Sequence, residues 1–153
     1  MEKRIVDLQK IKREAELYMS DLSLCCSESV LKTIKDEFGR EESDDIIALA
    51  SGFIGGVGIA QSLCGAISGG VMTFGMFFGR NEPNVPIVEA RTLSLELHNW
   101  FEEKYGSVLC KDLLSDVELG ATVQRERCMY MTGEVAYETA RLICEKLKIE
   151  YTL

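Results

Sequence analysis

The sequence predicts an all-α fold: a compact bundle of about five to seven helices with a buried glycine-rich central helix. Three observations carry that expectation. Apolar residues recur at intervals of three and four, the repeat of a helix with one buried face, while alternating β-branched runs are nearly absent. Gly39 and Gly106 stand where two such patterns stop, and glycine readily takes the left-handed conformation that closes a helix. The 34 residues from Ile46 to Gly79 carry no Asp, Glu, Lys or Arg, so a helix within them can be buried on all sides.

Taken in order, Ile5, Leu8, Ile11, Ala15 and Tyr18 line one side of a first helix. A second is predicted from about Ser23 to Phe38, and a short third from about Glu42 to Ala50. The stretch Gly52-Phe53-Ile54-Gly55-Gly56-Val57-Gly58 is too rich in glycine to be regular and reads as a loop or tight crossing. The central helix is predicted from about Gln61 to Phe78, with Gly65 and Gly69 clearing one stripe for the close approach of another helix. A turn at Asn81-Glu82-Pro83-Asn84-Val85-Pro86 leads into a helix from about Ile87 to Tyr105. Ser107 is expected to cap a short piece reaching about Leu114, and a last amphipathic helix runs from about Gln124 to Leu147.

With 153 residues the chain fits one domain, 1–153, long enough for a real core. Its 17 Lys+Arg against 25 Asp+Glu give a net charge of −8, and no basic stripe exists to displace counterions, so nucleic acid and anionic membrane surfaces are excluded as partners. The uncharged middle is long enough to span a bilayer. Its nine glycines and mainly acidic flanks, with Arg80 alone, argue for a helix buried in protein instead. The start Met1-Glu2-Lys3-Arg4-Ile5-Val6-Asp7 lacks the apolar run of a secretory signal, so a cytoplasmic location is expected. In a reducing compartment, six cysteines point to a metal, a redox-active dithiol or buried free thiols.

Those cysteines, at 25, 26, 64, 110, 128 and 144, contain no C-x-x-C pair and no haem-attachment motif. Only folding could gather them. With Ser23, Ser62 and Ser107 as helix caps, Cys26, Cys64 and Cys110 fall in first turns, where unpaired N–H groups lower a thiol's pKa and favour thiolate. Arg125 and Arg127 are expected to act the same way on Cys128. Cys144 falls about 160° around the last helix from Cys128, and Cys25 points away from Cys26, so both are expected to be ordinary thiols. Cysteine is also among the most buried residue types, and inert packing is the competing account of all six.

Phe53-Ile54-Gly55-Gly56 followed by Cys64-Gly65-Ala66-Ile67-Ser68-Gly69 resembles the glycine-rich stretch and CGAxxG motif of the C_GCAxxG_C_C family, proteins of proposed redox activity named after their cysteines. Cys26-Ser27-Glu28-Ser29-Val30-Leu31 is similar to its first cysteine segment, Gly106-Ser107-Val108-Leu109-Cys110-Lys111-Asp112-Leu113-Leu114 to its third, and Cys128-Met129-Tyr130-Met131 to its last. The likeness covers about residues 20–145. It implies a shared redox role for Cys26, Cys64, Cys110 and Cys128, supported by the motif residues Gly65, Ala66 and Gly69, and leaves Cys25 and Cys144 without counterparts. A similar module in the split-Soret cytochromes accompanies an iron–sulfur centre. Ser27, Ser29 and Ser115 depart from the family's small residues and bear on packing rather than on the cysteines.

Two chemistries then compete: a [2Fe–2S] cluster held by four thiolates, or a thiol–disulfide relay between two of them. Zinc held by all four is third, because it draws ligands from closely spaced pairs. His98, the only histidine, has no orienting neighbour and reads as surface or edge packing; Met72, Met76, Met129 and Met131 read as core filler. Glu41-Glu42, Asp44-Asp45 and Glu102-Glu103 read as solvated faces or helix starts, and no hydrolase or nucleotide-binding motif occurs. The expectation is a small redox protein serving an electron-exchange partner, with no claim to an enzymatic reaction. The alternative is a helical interaction or scaffold module with inert cysteines, homodimeric through the glycine-lined helix.

Overall fold

The computed structural model describes residues 4–153; Met1, Glu2 and Lys3, which open the amino-terminal stretch read above, lie outside the described residues. Seven α-helices account for most of these: α1 Leu8–Ser20, α2 Cys26–Glu37, α3 Asp45–Ala48, α4 Gly65–Phe78, α5 Val88–Tyr105, α6 Cys110–Leu113 and α7 Thr122–Leu147. A 3-10 turn spans Ser51–Phe53. Two short strands, β1 Val6–Asp7 and β2 Tyr151–Thr152, pair in parallel with Val6 beside Tyr151. No helix among the described residues is long and apolar enough to cross a membrane.

α1 lies along α7, α2 packs on both α4 and α7, and α5 backs α4. Leu8, Ile11 and Ala15 of α1 join Phe74, Leu97, Phe101, Val135 and Ile143 in one apolar core. Glu134 of α7 ties three helices together, accepting from Lys12 of α1 at 2.7 Å and Lys104 of α5 at 2.8 Å. In α4 the glycines do the work of close approach. A Cβ on Gly69 would stand 2.5 Å from the Ser27 carbonyl oxygen, and one on Gly70 2.5 Å from Leu97 Cδ2. Gly69 therefore receives α2 of the same chain, and Gly70 receives α5 and α7.

Several expectations need correction. Ile5 precedes the first helix and is exposed, because Val6 and Asp7 are drawn into β1 and the Asp7 carboxylate caps α1 by accepting from Lys10 N–H at 2.9 Å. Ser23, Ser62 and Ser107 do not cap helices. The cap positions belong to Cys25, Cys64 and Leu109, so α2, α4 and α6 start later than predicted. Ser23 instead bonds back to Tyr18 and Asp21, whereas Ser62 and Ser107 are taken up by the chain crossing that builds the site. Gly39 and Gly106 close α2 and α5 in left-handed conformations, at φ 61° and 82°.

Candidate redox site: a cavity lined by cysteines

Four separate stretches of chain bring five cysteines to one cavity of about 550 Å³. Cys25 and Cys26 arrive at the start of α2. Cys64 and Cys110 are placed together by a short antiparallel crossing at Leu63 and Leu109: Cys64 N–H donates to Val108 O and Cys110 N–H to Ser62 O, each at 2.8 Å. These two residues then open α4 and α6 side by side. Cys128 reaches the cavity from α7 and accepts from Gln124 Nε2 at 3.0 Å, one turn back along the helix. Gly65 is the keystone, since a Cβ there would meet the Cys26 sulfur at 2.4 Å and the Phe53 carbonyl oxygen at 2.8 Å.

Opposite the cysteines lies the glycine-rich loop. Its residues Gly55, Gly56, Val57, Gly58, Ile59 and Gln61 all have φ between 57° and 73°. Glycine accepts this conformation freely; for Val57 and Ile59 it costs on the order of 1–2 kcal/mol each. The run is held by Gln61 N–H donating to Gly55 O at 2.9 Å and Ser62 N–H to Gly56 O at 3.0 Å. It sets Ile54 and Ile59 on the cavity rim and turns the Gly55 N–H toward the Cys26 sulfur. The remaining walls are mostly apolar, from Met19, Leu24, Leu113, Leu114 and Met131, with Glu28 and Arg125 at the edge. Leu22, Ile54, Ile59 and Leu119, on the loops that line the cavity, are exposed apolar side chains.

The thiols act on one another in pairs: Cys25 with Cys26, Cys26 with Cys64, Cys64 with Cys110, and Cys110 with Cys128. The Cys26 thiol donates to Cys25 and the Cys64 thiol to Cys110, which draws Cys25 and Cys110 down to about 7. Their partners pay for this: contact with Cys25, then burial, pushes Cys26 well up, and contact with Cys110, then burial, does the same to Cys64. Helix starts were expected to lower Cys26 and Cys64 as well. They do not, because a second ionisation would set two negative sulfurs in contact. Cys128 is also raised, by burial; Arg127 helps little because its guanidinium is bound to Asp116 at 2.6 Å and to Leu113 O at 3.0 Å.

Thus Cys26, Cys64, Cys110 and Cys128 are brought together, with Gly65 and Gly69 providing the close approaches and Ala66 directing its N–H toward the Cys64 sulfur. Cys25 joins them, contrary to expectation. As the cap of α2 its backbone is extended (φ −85°, ψ 176°), so the helical rotation between neighbours that would separate the two sulfurs does not apply. A cysteine doublet just before an apolar helical repeat is the signal that could have found it. Cys144 is fully buried in the core, away from the cavity, and burial pushes it up to about 11. His98 pairs its Nδ1 with Asn99 Oδ1 at 3.1 Å, outside the cavity. Among the described residues no three His, Cys, Asp or Glu side chains surround one point closely enough to hold a single metal ion.

The donor set suits a thiophilic metal centre, because several thiols, the soft donors that iron takes, line one cavity. Gly65 adds a cradle that any side chain would fill.

The fold is similar to the split-Soret cytochrome c from Desulfovibrio desulfuricans ATCC 27774, whose structure is described for a novel iron centre: TM-score 0.78, 19% identity, over 97% of this chain and 72% of that one. No protein of curated function matches in sequence. The family described as "Putative redox-active protein (C_GCAxxG_C_C)" matches residues 24–142, spanning all five cavity cysteines. The chain belongs to the C_GCAxxG_C_C family.

Proposed function

We propose that this is a small electron-transfer protein in which Cys26, Cys64, Cys110 and Cys128 hold a [2Fe–2S] cluster. The observation that carries the reading is that four cysteines far apart in sequence line one apolar cavity, three of them, Cys26, Cys64 and Cys110, at helix starts. Membership of a family described as redox-active supports it, as does the fold shared with a cytochrome described for an iron centre. When bound, such a cluster supplies reversible one-electron chemistry.

The chain's part is electrostatic and steric. N–H groups of Gly55, Gly65, Ala66 and Ile67 turn toward the sulfurs of Cys26, Cys110 and Cys64 and offset negative charge there. The apolar walls keep water from the sulfurs, and the exposed apolar rim offers a docking face to a redox partner protein. A reducing compartment such as the cytoplasm fits six cysteines that are all free.

One observation favours a second reading. Cys64 and Cys110 already touch, with one thiol poised to ionise and the other protonated, the arrangement of an attacking and a resolving thiol. Their oxidation to a disulfide releases two electrons and two protons, which a partner disulfide takes up as two thiols. Purification without oxygen separates the readings. About two irons per chain with visible charge-transfer absorption supports the cluster. Colourless, iron-free protein that loses two free thiols to a small disulfide supports the relay, and neither result would leave the cysteines as packing.

A further inference from the structure

The site holds one thiol more than a four-ligand cluster needs. Cys25 lines the same cavity as the other four, its sulfur contacts Cys26, and it is the one cavity cysteine the family pattern does not require. Its surroundings hold it there. When protonated, Cys25 donates to Glu28 Oε1 at 2.9 Å, and it lies 3.3 Å from Ser27 Oγ. The extended backbone at the helix cap aims both sulfurs of the doublet at one space, which two consecutive residues inside a helix could not do. Cys26, in contrast, packs against Gly65, where a Cβ would stand 2.4 Å from its sulfur, and the Gly55 N–H also turns toward it.

We infer that Cys25 is an exchangeable ligand, able to take the place of Cys26 toward a thiophilic iron centre in this cavity. This rests on the cluster reading above. With such a centre bound, Cys25 would give its proton to the Cys26 sulfur and take over the bond that Cys26 would release. One thiolate replaces another, one proton changes sulfur, and no electron enters or leaves. Cys64 and Cys110 have no such understudy, because the neighbours of each in sequence are Leu63, Gly65, Leu109 and Lys111. The doublet would make one corner of the site tolerant of damage or displacement while the other corners are not.

The test uses the full chain reconstituted with ferrous iron and sulfide without oxygen, comparing wild type, Cys26→Ser, Cys64→Ser and the double variant Cys25→Ser/Cys26→Ser. Circular dichroism establishes that each is folded. The expected result is that Cys26→Ser keeps most of its iron with a shifted visible spectrum, whereas the double variant and Cys64→Ser lose about tenfold or more. Alkylation with iodoacetamide, read by mass spectrometry, gives an independent readout: Cys25 is modified in the loaded wild type and protected in loaded Cys26→Ser. Cys26→Ser protein as empty as the double variant, or with Cys25 still open to alkylation when loaded, overturns the exchange alone. Wild type that takes up no iron overturns the cluster reading and the exchange with it.

Discussion

The middle of α4 and its first residues use glycine for opposite ends. At Gly69 and Gly70 the missing Cβ lets α2 and the α5–α7 side close onto the helix, with Ser27 O, Leu97 Cδ2 and Thr139 Oγ1 all within 2.8 Å of where it would be. No space remains. At Gly65, one and a quarter turns earlier, the missing Cβ leaves a sulfur and a carbonyl standing beside a cavity of about 550 Å³. The packed end is held by apolar burial and by Glu134 bridging two lysines. The cysteine end is held by backbone hydrogen bonds between loops, and it exposes apolar side chains. One region holds the fold together; the other keeps a reactive space open at some expense in strain.

Experiments can break that division of labour. The largest effect is expected from Cys64→Ser, which should abolish iron uptake and visible absorption while leaving helical content by circular dichroism unchanged. A fall in helicity would show that the cavity end also holds the fold. Next comes thiol reactivity in the reduced, metal-free protein. Cys110, drawn down to about 7, should alkylate at a rate that rises with pH and levels off above 7, since only the thiolate attacks. Cys144, pushed up to about 11, should at pH 7 have a thiolate fraction about four orders of magnitude lower and react only on unfolding. Site-resolved mass spectrometry across pH 5–9 reads both, and equal rates would erase the contrast between the two environments.

A smaller effect is expected at Gly69→Ala. The new Cβ presses on the backbone of Ser27, which cannot rotate away, so overpacking of about 1–3 kcal/mol should exceed the gain of about 1 kcal/mol in helix propensity. Urea unfolding should show lower stability, with iron uptake retained once the protein is folded. The smallest effect is at Val57→Gly, where relief of the left-handed conformation, less the entropy glycine adds to the unfolded chain, should stabilise by about 1 kcal/mol or less. A destabilised variant would mean that the Val57 side chain contributes more than its conformation costs.

The helical framework was readable because the period of Leu8, Ile11 and Ala15, and the glycines closing α2 and α5, are local signals with local causes. Helix starts were less so. Ser23, Ser62 and Ser107 satisfied the preference for a capping hydroxyl, yet the Leu63–Leu109 crossing recruited the backbone around two of them and delayed α4 and α6. That crossing joins residues 46 apart and leaves no periodic trace. It also placed Cys64 against Cys110, so the contact between those thiols, and the opposite directions of their pKa shifts, could not be read in advance. The Cys25 sulfur escapes the sequence pattern for a related reason: helical rotation does not extend to a residue just outside the helix. The β1–β2 pairing of the two ends was invisible because two residues are too few to show alternation.

The loop from Gly55 to Gln61 has one more consequence. For a D-amino acid the allowed backbone regions are mirrored, so the conformation that strains L-valine at 57 and L-isoleucine at 59 is the relaxed one for their enantiomers. Elsewhere in the seven helices such an exchange would break the chain's handedness. At these two positions the fold asks for the opposite chirality, and only genetic coding withholds it; a chemically synthesised protein with D-valine and D-isoleucine there would meet this fold's demand more closely than the natural chain does.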